Sequence, residues 1–141
     1  MRPRIHNGVD IVQVSRLKEL DAAIRARFYE RVFTEGEREH IGESFGRAAG
    51  IFAAKEAAAK ALGTGIMEIS WQDIEVWHDR RGQPHLALRG KAEERAQALG
   101  ILDMAVSITD EKEYAAAVVS ALGEEEDLSL IHISEPTRLR R

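Results

Sequence analysis

Apolar residues along the chain follow strand-like spacing in some segments and helix-like spacing in others. β-branched residues predict a strand over 5–14, and Asn7-Gly8 predicts a bend or bulge within it. Apolar residues then recur every three or four positions over 17–28, which predicts one helix that Ser15 caps. Residues 5–28 are therefore predicted to form a strand followed by a helix.

Two further helices are predicted from capping residues and from alanine content. Thr34 to Glu37 has the form of a capping box, and Gly42 ends the helix that it opens. Alanine and leucine fill positions 53–62 without an interrupting glycine or proline, and alanine is the strongest helix former. Gly63 follows as a C-cap, so the stretch 51–66 predicts the main helix of the protein.

The second half predicts two hairpins with a helix between them. Strands over 69–77 and 85–89 flank the turn 79–84, and strands over 104–108 and 114–122 flank the polar residues 110–113. Gly90 leads into a helix over 91–99. This order of elements predicts an α+β fold in which helices pack on an antiparallel sheet.

The alanine-rich helix carries a pair of opposite charges on one face. Glu56 and Lys60 are four residues apart and therefore adjacent. A solvated surface pair is the commoner origin of this spacing. However, Gly63, Thr64 and Gly65 follow directly, and backbone at such glycines approaches an anion closely. An anion there needs a cation, and Lys60 is placed to supply one.

Asp10 lies among the apolar residues of the first strand. Burying an unpaired carboxylate is costly, so this residue needs a partner. A structural salt bridge and a metal site are both open at this point.

Composition limits the class of protein. A chain of 141 residues with 44% hydrophobic content suits a single core, and it contains no cysteine, which excludes disulfides and thiolate metal sites. A net charge of −4 argues against nucleic acid as the main partner. No run approaches the roughly 18 apolar residues of a membrane span, so no membrane partner is predicted and the cytoplasm is the expected location.

The composition changes abruptly at Gly123, where an acidic run is followed by an arginine-rich end. That final string is more typical of translated cloning sequence than of a natural domain. The predicted organisation is a domain over 1–122 and a non-native or disordered tail over 123–141.

Several short motifs occur together in one order. They are GVDIV at 8–12, RVFTE at 31–35, FAAKEA at 52–57, KALGTGI at 60–66 and EYA at 113–115. In this order the chain resembles the holo-[acyl-carrier-protein] synthase family, the small single-domain 4′-phosphopantetheinyl transferases. The resemblance covers about 5–122. It implies the transferase fold, a homotrimer with sites at subunit interfaces, and transfer of phosphopantetheine from coenzyme A to a serine of apo acyl carrier protein.

The resemblance also assigns roles to the isolated charges. Asp10 and Glu56 match the two carboxylates that bind Mg²⁺, which commonly takes one or two carboxylates and completes its shell with water and phosphate. Glu56 is also the expected base for the carrier serine. Lys60 is expected to neutralise charge on the pyrophosphate of coenzyme A.

The remaining matches concern the two substrates. Gly63, Thr64 and Gly65 match the family's loop beside coenzyme A. Arg16 and Arg31 match basic positions that dock the acidic carrier protein. Whether the carrier serves fatty acid biosynthesis, polyketide synthesis or another pathway stays open.

Two positions depart from the family pattern. Ile51 stands where many members have arginine, and Asp110 stands where the family commonly has histidine. Asp110 either points away from the site, assists the metal or the serine, or lowers activity. A binding module without turnover, and a structural protein with a Glu56–Lys60 surface pair, are the competing hypotheses.

Overall fold

The computed structural model describes residues 1–64 and 68–125. In chain order its strands and helices are β1 Arg2–Gln13, α1 Ser15–Lys18, α2 Ala22–Val32, α3 Glu35–Ile41, α4 Phe45–Ala61, β2 Ile74–His78, β3 Pro84–Leu88, α5 Gly90–Ala98, β4 Ile101–Asp110 and β5 Tyr114–Glu125. A 3₁₀ turn at Trp71–Asp73 precedes β2. None of the helices in the described part is long and apolar enough to cross a bilayer.

The strands form two antiparallel sheets. The larger sheet has the order β1-β5-β4, with Val9 opposite Val118 and Val106 opposite Val119. The smaller sheet is the β2–β3 hairpin. The predicted α+β fold with packed helices is therefore confirmed, although the strands divide between two sheets.

Helix α4 covers one face of the larger sheet. Its buried residues include Ala53, Ala54, Ala57, Ala58 and Ala61. Small side chains let the helix approach the strands closely, and Gly8 of β1 completes this contact. A Cβ on Gly8 would collide with the carbonyl oxygen of Ala57 and lie 2.8 Å from the nitrogen of Ala61.

The opposite face of the larger sheet remains exposed and apolar. Strand residues alternate between the two faces, so every second side chain of β1 and β5 points away from α4. The exposed fractions on that face are 73% for Ile5, 59% for Val9, 64% for Ile11, 46% for Val118 and 48% for Leu122.

Three local predictions are wrong. The helix predicted after Ser15 is two helices, because Asp21 caps α2 by accepting a hydrogen bond from the Ala23 amide, whereas Ser15 caps nothing. The segment predicted as a strand over 69–77 begins with the 3₁₀ turn, and the strand starts only at Ile74. Pairing with β5 is continuous through Asn7-Gly8, so no bulge forms there.

Other predictions differ from the structure only at their boundaries. The capping box of Thr34 and Glu37 is confirmed with both of its hydrogen bonds. Helix α4 begins at Phe45, earlier than predicted, because Ser44 caps it. The domain boundary predicted at residue 122 falls within β5, which continues to Glu125, and residues 126–141 lie outside the described residues.

Candidate active site

The crossing of β1 and α4 brings Asp10 and Lys60 together. The Lys60 ammonium donates hydrogen bonds to Asp10 Oδ1 at 3.3 Å and to the Val9 carbonyl at 2.9 Å. The Asp10 side chain is 20% exposed and the Lys60 side chain 55% exposed, so the pair opens to solvent. The sequence indicated that Asp10 needs a partner. That partner is Lys60, 50 residues further along the chain.

Glu56 lies beside this pair, one turn before Lys60 on α4. Burial raises the pKa of Glu56, and the negative charge of Asp10 raises it further, whereas Lys60 and Arg16 oppose the shift. Two carboxylates thus share one region, and the charge of Asp10 disfavours ionisation of Glu56. In the described residues, no ion pair within 4.0 Å joins Glu56 and Lys60, although one was expected. Lys60 bonds to Asp10 instead.

The donor set at this site consists of two carboxylates. No group of three or more histidine, aspartate or glutamate side chains suited to a metal occurs in the described residues. Two hard oxygen ligands are too few for a closed protein site, but they suit a cation such as Mg²⁺ that retains water and binds phosphate. Burial is the main cause of the raised pKa of Glu56, and a cation would relieve the repulsion from Asp10 that adds to it.

The backbone after α4 turns sharply beside this site. Gly63 adopts a φ of 67°, which favours glycine, and its amide bonds to the Lys60 carbonyl. The Thr64 amide bonds to the Ala59 carbonyl at 3.1 Å. Arg95 of α5 donates to the Leu62 carbonyl at 2.9 Å, which ties α5 to the end of α4. Gly65, the third predicted loop residue, lies outside the described residues.

The two predicted docking arginines occupy different positions. Arg16 is exposed on α1 and close enough to Glu56 for its charge to lower the pKa of that carboxyl. Arg31 is exposed in the last turn of α2. Arg16 thus lies next to the carboxylates, whereas no contact among the described residues connects Arg31 to them.

Both departures from the family pattern line one cavity at the other end of α4. Ile51 and Asp110 border this cavity of about 210 Å³, together with Arg47. An oxygen of Asp110 lies only 2.5 Å from where a Cβ of Gly46 would be. Gly46 is ten residues before Glu56, or about 15 Å along the helix. Within one chain, Asp110 therefore lies away from the carboxylate pair.

Two stacked imidazole rings border the same cavity. The ring centroids of His40 and His78 are 3.7 Å apart. Burial lowers the pKa of both histidines, and Arg47 lowers that of His40 further. The cavity therefore favours the neutral form of both rings.

Sequence reasoning missed a buried ion pair next to Glu56. Lys55 and Glu37 both have 0% exposed side chains, and the Lys55 nitrogen lies 2.8 Å from Glu37 Oε1. A lysine within a helix that is otherwise alanine-rich is a signal for such a pair, because a buried ammonium requires a partner. The sequence does not reveal which carboxylate supplies it.

Residues 7–119 match the 4′-phosphopantetheinyl transferase superfamily. The chain is 43% identical over 121 residues to the holo-[acyl-carrier-protein] synthase of Caldanaerobacter subterraneus subsp. tengcongensis, covering 84% of this chain and 94% of that protein. It is 47% identical over 116 residues to the same-named protein of Halorhodospira halophila, covering 79% and 92%.

A solved structure is similar to this chain in its fold as well. The crystal structure of Helicobacter pylori holo-[acyl-carrier-protein] synthase in complex with coenzyme A is similar with a TM-score of 0.74 and 30% identity. The similarity covers 82% of this chain and 98% of that one. The chain belongs to the 4′-phosphopantetheinyl transferase superfamily, within its holo-[acyl-carrier-protein] synthase family.

Proposed function

We propose that the protein is a holo-[acyl-carrier-protein] synthase that uses Asp10, Glu56 and Lys60 as its catalytic site. It transfers 4′-phosphopantetheine from coenzyme A to a serine of apo acyl carrier protein and leaves adenosine 3′,5′-bisphosphate. The observation that carries this proposal is that the Asp10 and Glu56 carboxylates and the Lys60 ammonium lie together beside the Gly63 turn. We place the reaction in the cytoplasm.

The two carboxylates are the proposed ligands of Mg²⁺. They fit because they are hard oxygen donors close enough to influence each other, beside a pair that opens to solvent. When bound, Mg²⁺ supplies positive charge to the pyrophosphate oxygens. Asp10 and Glu56 would hold it, and the remaining places in its shell belong to water and to substrate.

The serine that attacks belongs to the carrier protein. Its oxygen forms a bond to the phosphorus that bears the pantetheine arm, and the bond from this phosphorus to the bridging oxygen of the pyrophosphate breaks. The electron pair leaves with adenosine 3′,5′-bisphosphate. Glu56, directly or through a water molecule, accepts the serine proton.

Lys60 has the charge and position to stabilise the leaving phosphate. Its ammonium is half exposed and reaches the Asp10 carboxylate, so it faces the site without being buried. Neutralising charge that develops on phosphate oxygens is worth several kcal/mol when the donor is already in place. The Gly63 and Thr64 turn, and Gly65 after it, form the proposed coenzyme A loop.

The nucleotide end of coenzyme A is assigned to the cavity at the start of α4. Arg47 supplies a cation to this cavity. Ile51, which stands where many family members have arginine, cannot do so. Because the lining residues Arg47 and Ile51 lie about 14 Å and 7 Å from Glu56 along the helix, an extended coenzyme A or a neighbouring subunit has to connect the two.

We propose that the protein is a homotrimer with sites at subunit interfaces. The support is the exposed face of the larger sheet, where each buried valine, leucine or isoleucine is worth about 1.5–3 kcal/mol. Light scattering should give three times the monomer mass. Val118→Asp should give monomers, whereas Ile24→Asp on exposed α2 should not. A monomeric wild-type protein would contradict the proposal.

Arg16 and Arg31 are the proposed docking positions for the carrier protein. Both are exposed and positively charged, and Arg16 borders the carboxylates. Charge complementarity of this kind raises the association rate and weakens with salt.

The proposal is tested by the mass of apo acyl carrier protein after incubation with the enzyme, coenzyme A and Mg²⁺. We expect a gain of one phosphopantetheine with the wild-type enzyme and a loss of that gain with Glu56→Gln. Glu94→Gln on exposed α5 is the matched control and should retain activity. If Glu56→Gln works as fast as the control, the assignment of Glu56 is wrong.

A further inference from the structure

Helix α4 has few features that fix its rotation about its own axis. Alanines make up eight of its eleven buried residues, and adjacent alanines present nearly the same shape to the sheet. Large interlocking side chains normally define how a helix sits on its neighbours. Other contacts must therefore fix the position of the helix that carries Glu56 and Lys60.

Lys55 supplies directional contacts on a different side of the helix from Glu56. Its buried ammonium donates to the Ile74 carbonyl at 2.6 Å and to the Trp71 carbonyl at 3.0 Å. Its third partner is Glu37 at 2.8 Å. All three ammonium donors thus have acceptors, which is the full capacity of a lysine.

Glu37 is held as firmly as Lys55. Its Oε1 also accepts from the Thr34 amide at 2.9 Å, and its Oε2 accepts from the Val76 amide at 2.7 Å. These contacts link the start of α3 to strand β2. The pair Lys55–Glu37 therefore fixes α4 to two other elements through hydrogen bonds of defined direction.

Stability alone is a weak reason for such a pair. Desolvation of two charges offsets much of their attraction, so well-packed apolar residues often stabilise a fold as well or better. Positional specificity is a separate effect. Since Lys55 immediately precedes Glu56, its three bonds constrain the turn on which the catalytic carboxylate lies.

We propose that the buried Lys55–Glu37 pair is a positioning device that holds Glu56 and Lys60 of α4 in register with Asp10 of β1. This inference rests on the proposed function of those three residues. The outer radius of a helix is about 5–6 Å, so a rotation of about 10° moves an atom there by about 1 Å. A displacement of that size can lower a reaction rate about 100-fold.

The test uses the double variant Glu37→Gln/Lys55→Met. Glutamine still caps α3, because the capping box accepts either Glu or Gln at this position. The ion pair is removed without leaving an uncompensated buried charge. We expect kcat to fall at least tenfold while the KM for carrier protein changes less than twofold, because the docking arginines are untouched.

The control separates misplacement from lost stability. Ile41 is 1% exposed in α3 and contacts no proposed substrate group, so Ile41→Val and Ile41→Ala lower stability by about 0.5–5 kcal/mol without removing a polar anchor. The variant nearest in stability to the double variant should retain wild-type kcat. If the double variant does not fold, Lys55→Met alone takes its place, since Glu37 keeps the amide hydrogen bonds from Thr34 and Val76.

Residual dipolar couplings of α4 amides, measured on protein without ligand or metal, report the orientation of the helix directly. A lower kcat together with a reoriented α4 supports the proposal. Unchanged couplings overturn it, whether or not kcat falls, and so does a kcat that falls no further than in the Ile41 control. A wild-type enzyme without transferase activity would refute the proposed function, but the couplings would still test the positioning role.

Discussion

Gly8 is a point of very close approach between β1 and α4, and its replacement by alanine gives a prediction with a definite cause. The added Cβ would collide with the Ala57 carbonyl oxygen and lie 2.8 Å from both the Ala57 carbonyl carbon and the Ala61 nitrogen. These are backbone atoms of a packed helix and have no rotamer by which to move aside. The helix would have to retreat by well over about 0.6 Å, because the contact with the carbonyl oxygen is shorter than the two at 2.8 Å.

The change in the free energy of unfolding caused by Gly8→Ala follows from two opposing effects. Overpacking of a dense core typically costs about 1–3 kcal/mol. Alanine in a strand interior recovers about 0.5–1 kcal/mol relative to glycine. Because the collision involves backbone on both sides, we expect the upper part of the first range and a net loss of about 2 kcal/mol. The same movement separates Asp10 from Glu56, so transferase activity should fall at least tenfold.

Urea unfolding and carrier-protein modification measure the two effects separately. Gly36→Ala is the matched control, because its Cβ would meet only the Glu75 side chain, at 3.4 Å. That variant should stay within about 1 kcal/mol of wild type. A Gly8→Ala protein with wild-type stability and activity would refute the close packing of β1 on α4.

Three further predictions concern the charged groups around the site. Arg16→Ala should raise the KM for carrier protein at low salt, with little change in the KM for coenzyme A. The difference in carrier KM between this variant and wild type should shrink at 1 M salt. The control Arg80→Ala, in the exposed hairpin turn, should change neither KM. Burial lowers the pKa of His40 and His78, so the folded state binds fewer protons than the unfolded state and stability should decline as pH falls below about 6.5. In His78→Phe, thermal melts from pH 7.5 to 5 should show a shallower decline, and an identical slope would contradict this reasoning. Asp110→Asn should lower the KM for coenzyme A, because it removes a carboxylate from the cavity assigned to the nucleotide; a higher KM would show that the carboxylate assists binding.

Features that depend on neighbouring residues were predictable from the sequence. The capping box of Thr34 and Glu37 spans four residues, and its geometry follows from local hydrogen bonds. The split between α1 and α2 was missed because both helices turn apolar residues toward the same core. Their spacing therefore continues across the break that Asp21 creates.

Contacts between distant residues required the fold. Asp10 needed a partner, but only the crossing of β1 and α4 identifies Lys60 as that partner. Lys55 likewise needed a carboxylate, and Glu37 lies on another helix. Gly8 looked like a bulge residue, whereas its actual role is close approach to α4, which depends on where the helix lies.

The identity of the products tests the central claim most directly. Apo acyl carrier protein, coenzyme A and Mg²⁺ are incubated with the enzyme, and adenosine 3′,5′-bisphosphate and holo carrier protein are quantified together. We expect equal amounts of the two products with wild-type carrier, and neither product with a carrier whose acceptor serine is replaced by alanine. Thermal stabilisation by coenzyme A without either product would contradict transfer and establish a binding module instead.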